Sequence, residues 1–417
     1  MIDTSFKIQR AEILSVGTEL LIGQVVDTNA FFLSGQLAEL GISTFRHTVV
    51  GDNRERLEAA MRQAIACNDL LITTGGLGPT SDDVTASVTA ALAGVPLAED
   101  PAVMEDLRRR FPGLDFKGYP LLPQGSLVFR NDQGTAPGSL TWLSLEGEKK
   151  AILMLPGPPD EMEPMFVAHV RPSLEAYCPY RFIHRYVRLQ DLGESKLEER
   201  ILDLIQVQDQ VTLAPYASLR ELVVRLSQRL SGPDDRDLTL PLVEELQRRL
   251  ADYIFEIGPR HLEEVLYDLL LERNLQVAFA ESCTAGLTAS TLASVAGASS
   301  VLTGGFVVYN NRMKEKLLGL DPDLLSREGA VSSATALAMA AACRKITDAG
   351  IAVSVTGFAG PGGGTPKAPV GTVFIACDSA WKEPLVQAFH FSGDRERVRI
   401  RSAYAALNLL RRYVLDL

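Results

Sequence analysis

Three side chains that can act as nucleophiles lie together in the segment AESCTAG, residues 280 to 286. An apolar strand is predicted to stop at Glu281, and a helix of small residues follows it. The free N–H groups at the start of such a helix are expected to face an anion or a developing oxyanion. We expect Ser282 to be the nucleophile, with Cys283 as the alternative, although Ser282 or Thr284 could equally cap the helix.

A hydroxyl nucleophile needs a base, and the segment GGFVVYNNRMK, residues 304 to 314, offers one. Its strand is predicted to end at Tyr309, and Lys314 follows five residues later. No histidine is near in sequence, but a lysine that loses its water in a cleft has a lower pKa and can accept a proton. We therefore predict a Ser282–Lys314 pair, with Tyr309 relaying or orienting the proton. Taken alone, such a tyrosine and lysine are more often surface residues.

The segment SVTGFAGPGGGTPKAPVGTV, residues 354 to 373, joins a buried strand to a loop rich in glycine and proline. Glycines let backbone N–H groups approach a phosphate closely, so we expect this loop to bind one. Its residues match neither the Walker A pattern nor GxGxxG. A surface loop without a ligand is the alternative interpretation.

A second group of candidate residues lies in TTGGLGPTSDDVT, residues 73 to 85. Its glycines allow backbone contact with a phosphate, and its two aspartates can hold a divalent cation such as Mg²⁺ that bridges this phosphate. A pair of aspartates that merely begins a helix is the alternative. The loops VGTELLIGQVVDTN, NDQGTAPG and LPGPPDEM are expected to wall the same cleft. The expected ligand-binding residues are Gly75, Gly76, Gly78, Thr80, Glu19, Asn29, Gly134 and Pro158, and the expected metal-linked residues are Asp82, Asp83 and Asp27.

The elements that must position these groups divide the chain into three segments. In residues 1 to 170, short apolar strands alternate with amphipathic helices, which predicts a layered domain with a mainly parallel sheet. Residues 171 to 258 predict a small α+β domain, where we expect the contact of a homodimer. Residues 259 to 417 return to the alternation of strand and helix. The predicted fold class is therefore α/β, with two layered α/β domains joined by a small α+β domain.

The composition excludes several classes of protein. With 46% hydrophobic and 22% charged residues the chain is globular rather than disordered. Its net charge of −11, with scattered basic residues, disfavours binding to a phosphate backbone. The five cysteines lie far apart without a CxxC pair, so neither disulfides nor a thiolate zinc site is expected. Without a basic-then-apolar leader or an apolar run of about 18 residues, we expect a cytoplasmic protein that does not enter a membrane.

Over essentially the whole C-terminal domain, these segments resemble the nicotinamide-mononucleotide deamidase family, the C-terminal half of the competence/damage-inducible CinA proteins. The matching segments are ESCTAG, the spacing from Tyr309 to Lys314, GxAGPGGGTPxxPVGTV and FSGDRERVR. Ala285 and Phe358 depart from the glycine and the aliphatic residue that are usual there.

This resemblance implies hydrolysis of nicotinamide mononucleotide to nicotinic acid mononucleotide and ammonia, without a cofactor. It implies Ser282 as nucleophile, Lys314 and Tyr309 in proton transfer, and Thr284 near the oxyanion. The glycine loop would close over the ribose phosphate. The implied substrate-binding residues are Glu281, Cys283, Gly286, Gly305, Gly360, Gly362, Gly363, Gly364, Thr365 and Arg395.

Most of residues 8 to 168 resemble the molybdopterin-binding fold family, in the version that precedes the deamidase in CinA proteins. There the resemblance implies a pyrophosphatase that hydrolyses ADP-ribose with a divalent metal. The middle segment, with GESKLEERI, is similar to the small KH-type domain of these proteins. It has no GxxG loop with basic flanks, so direct nucleic-acid binding is not expected.

Three hypotheses remain open from the sequence. The first is a bifunctional hydrolase that acts on two products of NAD breakdown. The second is a binding protein whose N-terminal domain holds a molybdopterin-like ligand without catalysis. The third is an accessory protein of competence or DNA damage, although the acidic balance counts against direct contact with DNA.

Overall fold

The computed structural model describes residues 6–80, 82–114, 116, 119–178, 180–207, 210–230, 235–366 and 368–416. The chain divides into two compact units. The first contains Met1–Ile183 with Arg229–Arg236, and the second contains His184–Gln228 with Asp237–Leu417. Most of the small middle segment therefore groups with the C-terminal part. Within the described ranges, no helix has the length and apolar character that a membrane crossing requires.

The first unit alternates strands with helices along the chain. Its strands are β1 (Arg10–Val16), β2 (Ser43–Val50), β3 (Leu70–Thr74), β4 (Leu97–Ala98), β5 (Leu122–Pro123), β6 (Leu127–Phe129), β7 (Gly138–Leu145) and β8 (Glu148–Leu155). Its helices are α1 (Thr18–Leu21), α2 (Thr28–Glu39), α3 (Arg54–Cys67), α4 (Thr85–Ala93), α5 (Pro101–Arg110), α6 (Pro159–Met165) and α7 (Arg171–Glu175), with a π-helical turn at Phe166–Val170 between the last two.

The main sheet of this unit has the order β2-β1-β3-β8-β7-β6. Strands β2, β1, β3 and β8 pair in parallel, and β7 pairs antiparallel with both β8 and β6, which confirms the mainly parallel sheet. Successive residues of a strand face opposite sides. Ile13 accordingly belongs to one core cluster with Leu33 of α2, and Leu14 to a second cluster with Met61 of α3. Leu174, beyond the expected boundary at residue 170, belongs to the first cluster.

The middle segment is a small α+β arrangement. Its elements are β9 (Arg181–Leu189), α8 (Glu194–Gln206), β10 (Val211–Ala217), β11 (Leu222–Leu230), α9 (Thr239–Leu250) and β12 (Ile254–Ile257). The strands form a sheet of order β10-β11-β9-β12, in which β10 and β12 pair antiparallel with their neighbours. Val224 of β11, Leu197 of α8 and Leu246 of α9 lie in its core. The predicted α+β character is confirmed.

The C-terminal part again alternates strands and helices, which confirms the predicted fold class. Its strands are β13 (Val277–Glu281), β14 (Leu302–Val307), β15 (Ile351–Gly357), β16 (Thr372–Ser379) and β17 (Leu385–His390). Its helices are α10 (Leu262–Glu272), α11 (Leu287–Ala293), α12 (Asn311–Leu318), α13 (Pro322–Glu328), α14 (Ser333–Thr347) and α15 (Arg395–Leu415).

The C-terminal sheet has the order β14-β13-β15-β16-β17. Helices cover both faces, since Phe279 clusters with Leu410 of α15 whereas Ala280 clusters with Met339 of α14. β13 runs parallel to β14 and β15. The carboxyl ends of these three strands therefore open at one edge of the sheet, where loops can bring side chains together.

Candidate active site and phosphate cleft

Ser282 and Lys314 lie side by side at this edge of the C-terminal sheet. The Nζ of Lys314 is 3.1 Å from the Oγ of Ser282. Ser282 directly follows β13, and its N–H donates to the carbonyl oxygen of Val355 on β15 at 2.9 Å, so the sheet fixes its backbone. Asn310 caps α12 by accepting the N–H of Met313, and that helix carries Lys314. The two residues that the sequence analysis paired are thus within hydrogen-bond distance.

Lys314 is a buried lysine without a counter-charge. Its residue surface is only 2% exposed, and its Nζ also lies 3.2 Å from the carbonyl oxygen of Val308. In the described part of the chain, no carboxylate forms an ion pair with it. Burial lowers the pKa of Lys314 below its ordinary value of 10.5, because a charge is costly away from water. The amine can therefore be neutral, and able to accept a proton, at a pH where a surface lysine is charged.

Burial makes Cys283, the alternative nucleophile, less reactive, whereas it makes Lys314 a better base. It is buried, and the loss of water raises the pKa of its thiol to about 12. The thiolate is the reactive form of cysteine, so this thiol is inert near neutral pH. The surroundings thus favour Ser282 over Cys283 as the nucleophile.

The N–H groups at the start of α11 do not face a ligand, which differs from the expectation for this junction. The buried carboxylate of Glu281 accepts the backbone N–H of Gly286 at 3.0 Å, of Thr288 at 3.1 Å and of Ala289 at 2.9 Å. Ala285 and Gly286 have positive φ angles of 54° and 91°, which turn the chain back over this carboxylate. Glu281 and Gly286 are therefore joined to each other here, rather than facing open space.

Thr284 presents the opposite situation, a hydroxyl without a partner. The residue is fully buried, and its Oγ1 forms no hydrogen bond within the described residues. Its carbonyl oxygen accepts the Nη2 of Arg399 at 3.1 Å. The sequence analysis missed Arg399, although it belongs to the segment FSGDRERVR that was singled out. A buried donor without an acceptor is unfavourable by itself, so an incoming oxygen would improve its environment.

Tyr309 is tied to the glycine loop rather than to the lysine. Its side chain is about half exposed, and its hydroxyl accepts a hydrogen bond from Arg395. Arg395 also donates to the carbonyl oxygen of Gly360 at 2.7 Å. Among the residues that the structure describes, no hydrogen bond joins Tyr309 to Ser282 or Lys314. Arg395 thus connects the end of the β14 segment with the loop after β15.

The glycine loop is exposed but internally braced. Gly360 and Gly363 have positive φ angles of 81° and 96°, which a side chain would strain. The N–H of Thr365 donates to the carbonyl oxygen of Ala368 at 2.8 Å, and its hydroxyl accepts the N–H of Ala368 at 3.1 Å. A Cβ at Gly364 would meet the backbone nitrogen of Val370 at 2.6 Å, whereas Gly362 has open space around it.

Gly305 has a packing role in the structure. It lies on β14 directly beside β13, where a Cβ would stand 2.3 Å from the carbonyl oxygen of Phe279. The position therefore requires glycine for strand contact, which accounts for the residue without any ligand.

In the first unit, the loops after β1, β3 and β8 line a cleft of about 590 Å³. Two acidic residues that the sequence analysis missed, Asp52 and Glu161, also line it. Glu161 lies in the quoted segment LPGPPDEM, which was a signal for it. The predicted residues that line the cleft are Glu19, Asp27, Asn29, Gly75, Gly76, Gly78, Asp82, Asp83 and Pro158.

Thr80 and Gly134 are not in the lining of this cleft. Thr80 lies in a smaller adjoining pocket, and its N–H and hydroxyl both donate to the Oδ2 of Asp83. Gly134 stands behind Glu161, where a Cβ would meet the glutamate Oε2 at 2.1 Å. The glycine is needed there because it lets the Glu161 carboxylate approach the backbone. Gly134 therefore helps to position Glu161 in the lining of the cleft.

Several carboxylates of the cleft accept hydrogen bonds from protein donors. Asp27 caps α2 by accepting the N–H of Ala30 at 2.9 Å, and it accepts the hydroxyl of Ser15 at 2.6 Å. Within the described ranges, no three histidine, cysteine, aspartate or glutamate side chains group closely enough to hold a metal ion. The residues present therefore do not form a complete metal site from protein ligands alone.

Asn29 is the buried polar group of this cleft. Its Nδ2 donates to the hydroxyl of Thr74 and to the carbonyl oxygen of Gly157, both at 2.7 Å. Its Oδ1 is buried and has no hydrogen-bond partner among the described residues. These contacts link the ends of β3 and β8 to α2 and hold an acceptor at the base of the cleft.

Three family descriptions match successive parts of the chain. Residues 12–176 match a domain described as "Probable molybdopterin binding domain". Residues 184–255 match the damage-inducible protein CinA KH domain, and residues 259–414 match the CinA C-terminal domain.

Full-length relatives match nearly the whole chain. A CinA-like protein of Dictyoglomus thermophilum is 40% identical over 422 residues, covering 98% of this chain and all of the relative. A CinA-like protein of Kosmotoga olearia is 39% identical over 417 residues, with 98% and 100% coverage. A crystal structure of a competence/damage inducible protein from Agrobacterium tumefaciens is 36% identical, covers 38% of this chain and 98% of its own, and has a TM-score of 0.36.

Proposed function

The chain belongs to the CinA family, and from that premise we propose that its C-terminal domain is an amidohydrolase acting on nicotinamide mononucleotide. The products are nicotinic acid mononucleotide and ammonia. The observation that carries the proposal is the buried Ser282–Lys314 pair, in which an amine without a counter-charge lies 3.1 Å from a hydroxyl. This arrangement gives a serine the base that it needs to attack an amide carbon.

The proton can be followed through the reaction. As Ser282 Oγ bonds to the carboxamide carbon, its proton moves to the neutral Nζ of Lys314. The resulting ammonium returns that proton to the amide nitrogen as the C–N bond breaks, so ammonia leaves and an ester on Ser282 remains. Water then attacks the ester with Lys314 again as base, and the proton returns to Ser282 Oγ. The carbonyl of Val308, 3.2 Å from Nζ, can hold the amine in place throughout.

Two further features support an amide-containing nucleotide as substrate. The buried hydroxyl of Thr284 lacks a partner, which makes it a candidate donor to the oxygen of the tetrahedral intermediate. Arg395 joins Tyr309 to Gly360, and this arginine beside an exposed glycine loop offers charge and backbone N–H groups for a ribose phosphate. The substrate would therefore lie across the strand edge, with its phosphate toward the loop.

Ammonia release from nicotinamide mononucleotide tests the proposal. We expect Ser282→Ala to lower kcat by at least about 10³-fold, because the nucleophile is lost. Cys283→Ala is the matched control, since it removes the neighbouring nucleophile and should leave most of the activity. Full activity in Ser282→Ala, or no ammonia release by the wild-type chain, would refute the assignment.

For the N-terminal cleft we propose hydrolysis of ADP-ribose to AMP and ribose 5-phosphate. The support is a cavity of about 590 Å³ that brings together three glycines and several carboxylates at the carboxyl ends of parallel strands. Because the described side chains do not form a complete metal site, we derive no step through a metal here.

The AMP assay with ADP-ribose, with and without added Mg²⁺, separates catalysis from binding in this cleft. AMP formation that depends on Mg²⁺ supports hydrolysis by this domain. A fluorescent pterin that copurifies with a chain unable to form AMP would favour a molybdopterin-like binding protein instead.

A further inference from the structure

A second cavity lies within the C-terminal unit, between the small middle sheet and α15. We call it the junction cavity; its volume is about 450 Å³. Its walls come from the turn before β11, from the start of α8, from β17 and from the middle of α15. Neither Ser282 nor Lys314 lines it. The junction cavity is therefore separate from the proposed reaction centre.

Aromatic rings form one wall of the junction cavity. Phe389 and Phe391 lie with their ring planes 12° apart and their centroids 5.6 Å apart, and both are only partly buried. Tyr404 of α15 lies in the same wall and is almost fully buried. The volume and this ring surface suit a planar aromatic group such as a nucleobase, which stacks on aromatic side chains.

The acidic groups of the cavity are largely compensated by neighbouring bases. Asp191 accepts hydrogen bonds from Asn408 at 2.7 Å and Arg412 at 3.5 Å. Glu221 is paired with Arg188, and its Oε1 lies 3.0 Å from the Nδ1 of His261. Among the described residues of the lining, Glu194, exposed at the start of α8, is the one acid without such a pair.

Two arginines of the lining have no acidic partner. Arg220 and Arg401 are exposed at the rim, and neither forms an ion pair in the part of the chain that the structure describes. Arg220 also lies near the hydroxyl of Tyr404, whose pKa burial raises to about 12. In addition, the Oε2 of Glu221 is buried and has no hydrogen-bond partner among the described residues.

We propose that the junction cavity binds a nucleoside monophosphate. The base would stack beside Phe389 and Phe391, and the phosphate would pair with Arg220 and Arg401. Guanidinium groups at a rim are well suited to phosphate because they donate two parallel hydrogen bonds. This inference does not depend on the activity proposed for Ser282.

Hydrogen exchange of the full chain with AMP as the probe tests the location. AMP should protect the peptides covering 217–222 and 387–391 in the wild type. In the variant Arg220→Ser/Arg401→Ser this protection should disappear, and equilibrium dialysis should show at least about tenfold weaker binding at this site. Arg273→Ser is the matched control, because it removes an exposed arginine of the same unit outside the cavity.

The other outcomes overturn the proposal. Absence of protection at both peptides in the wild type, or equal protection in the double variant, would show that AMP does not bind there. Protection confined to residues 74–78 would assign the nucleotide to the N-terminal cleft instead. Equal unfolding temperatures of the double variant and the Arg273→Ser control ensure that a loss of protection reports binding rather than unfolding.

Discussion

The two candidate sites of this chain place charge in opposite ways. At Ser282, one lysine is buried with no carboxylate partner among the described residues, and the reactive atoms are already within hydrogen-bond distance. In the N-terminal cleft, several carboxylates line an open cavity, and those of Asp27 and Asp83 accept hydrogen bonds from hydroxyl and backbone donors. Both sites use the carboxyl ends of parallel strands, so topology alone does not explain the difference.

The difference indicates how each site gains reactivity. Removing water from an unpaired amine shifts its protonation before any ligand arrives, so the C-terminal pair is prepared by folding. The N-terminal cleft keeps its acids in contact with water and with protein donors. We therefore expect this cleft to become reactive only when a ligand with phosphate groups and their counter-ions binds in it. The predictions below test this contrast.

The largest effect is expected from Lys314→Ala. Loss of the base should lower ammonia release by at least about 10³-fold, and the double variant with Ser282→Ala should be no worse, because the two residues act as a unit. Lys316→Ala, on the same helix and exposed, is the control and should retain activity. Additive losses in the double variant would mean that the two side chains act independently.

The second-largest effect is expected in the N-terminal cleft. Asp82→Ala/Asp83→Ala should lower AMP formation from ADP-ribose by about 100-fold, since the cleft would lose two carboxylates able to contact Mg²⁺ that the phosphates bring with them. Ammonia release by the same variant should be unchanged, which controls for folding. If both activities fell together, the two sites could not be treated as independent.

The pH dependence should separate the sites further. Ser282 needs a neutral Lys314, so kcat/KM for ammonia release should fall about tenfold per pH unit below the lysine pKa. Burial lowers that pKa from 10.5, so the midpoint should lie below 10.5 and activity should rise with pH toward it. AMP formation by the N-terminal cleft should not show this fall in activity at lower pH, because Lys314 takes no part in it. Activity that did not fall at any pH below 10.5, down to the acid limit at which the protein stays folded, would exclude Lys314 as the base.

The smallest effect is expected from Glu281→Gln. The three backbone hydrogen bonds to its carboxylate would weaken, which should lower the free energy of unfolding by about 1–3 kcal/mol. The KM for nicotinamide mononucleotide should change little if the residue supports the turn, and urea unfolding beside steady-state kinetics measures both. A large rise in KM with an unchanged free energy of unfolding would instead show that Glu281 binds the substrate.

The sequence patterns predicted the helices, the strands and the places where strands end. They did not predict the hydrogen bonds that side chains form across turns. The order of strands and helices followed from periodicity, and Ser282 and Lys314 could be paired because parallel strands end at one edge. The hydrogen bonds of Glu281 could not be foreseen, because they depend on the left-handed backbone at Ala285, where a residue other than glycine is uncommon.

Other partners were missed for similar reasons. The bond between Arg395 and Tyr309 spans 86 residues, and nothing in either local segment specifies it. Asp27, which was expected to bind a metal, caps α2 in the structure, and the two roles look alike in sequence. Its metal binding stays a prediction.

The carboxylate of Glu281 also bears on what can leave the site. It accepts the backbone N–H groups at the start of α11, so these donors are not open to a substrate anion. A neutral carboxamide does not need such donors. The carboxylate formed from it would need them, because a helix N-terminus favours negative charge. On the proposed reaction, the site would thus hold the product less well than the substrate, which would limit inhibition by nicotinic acid mononucleotide.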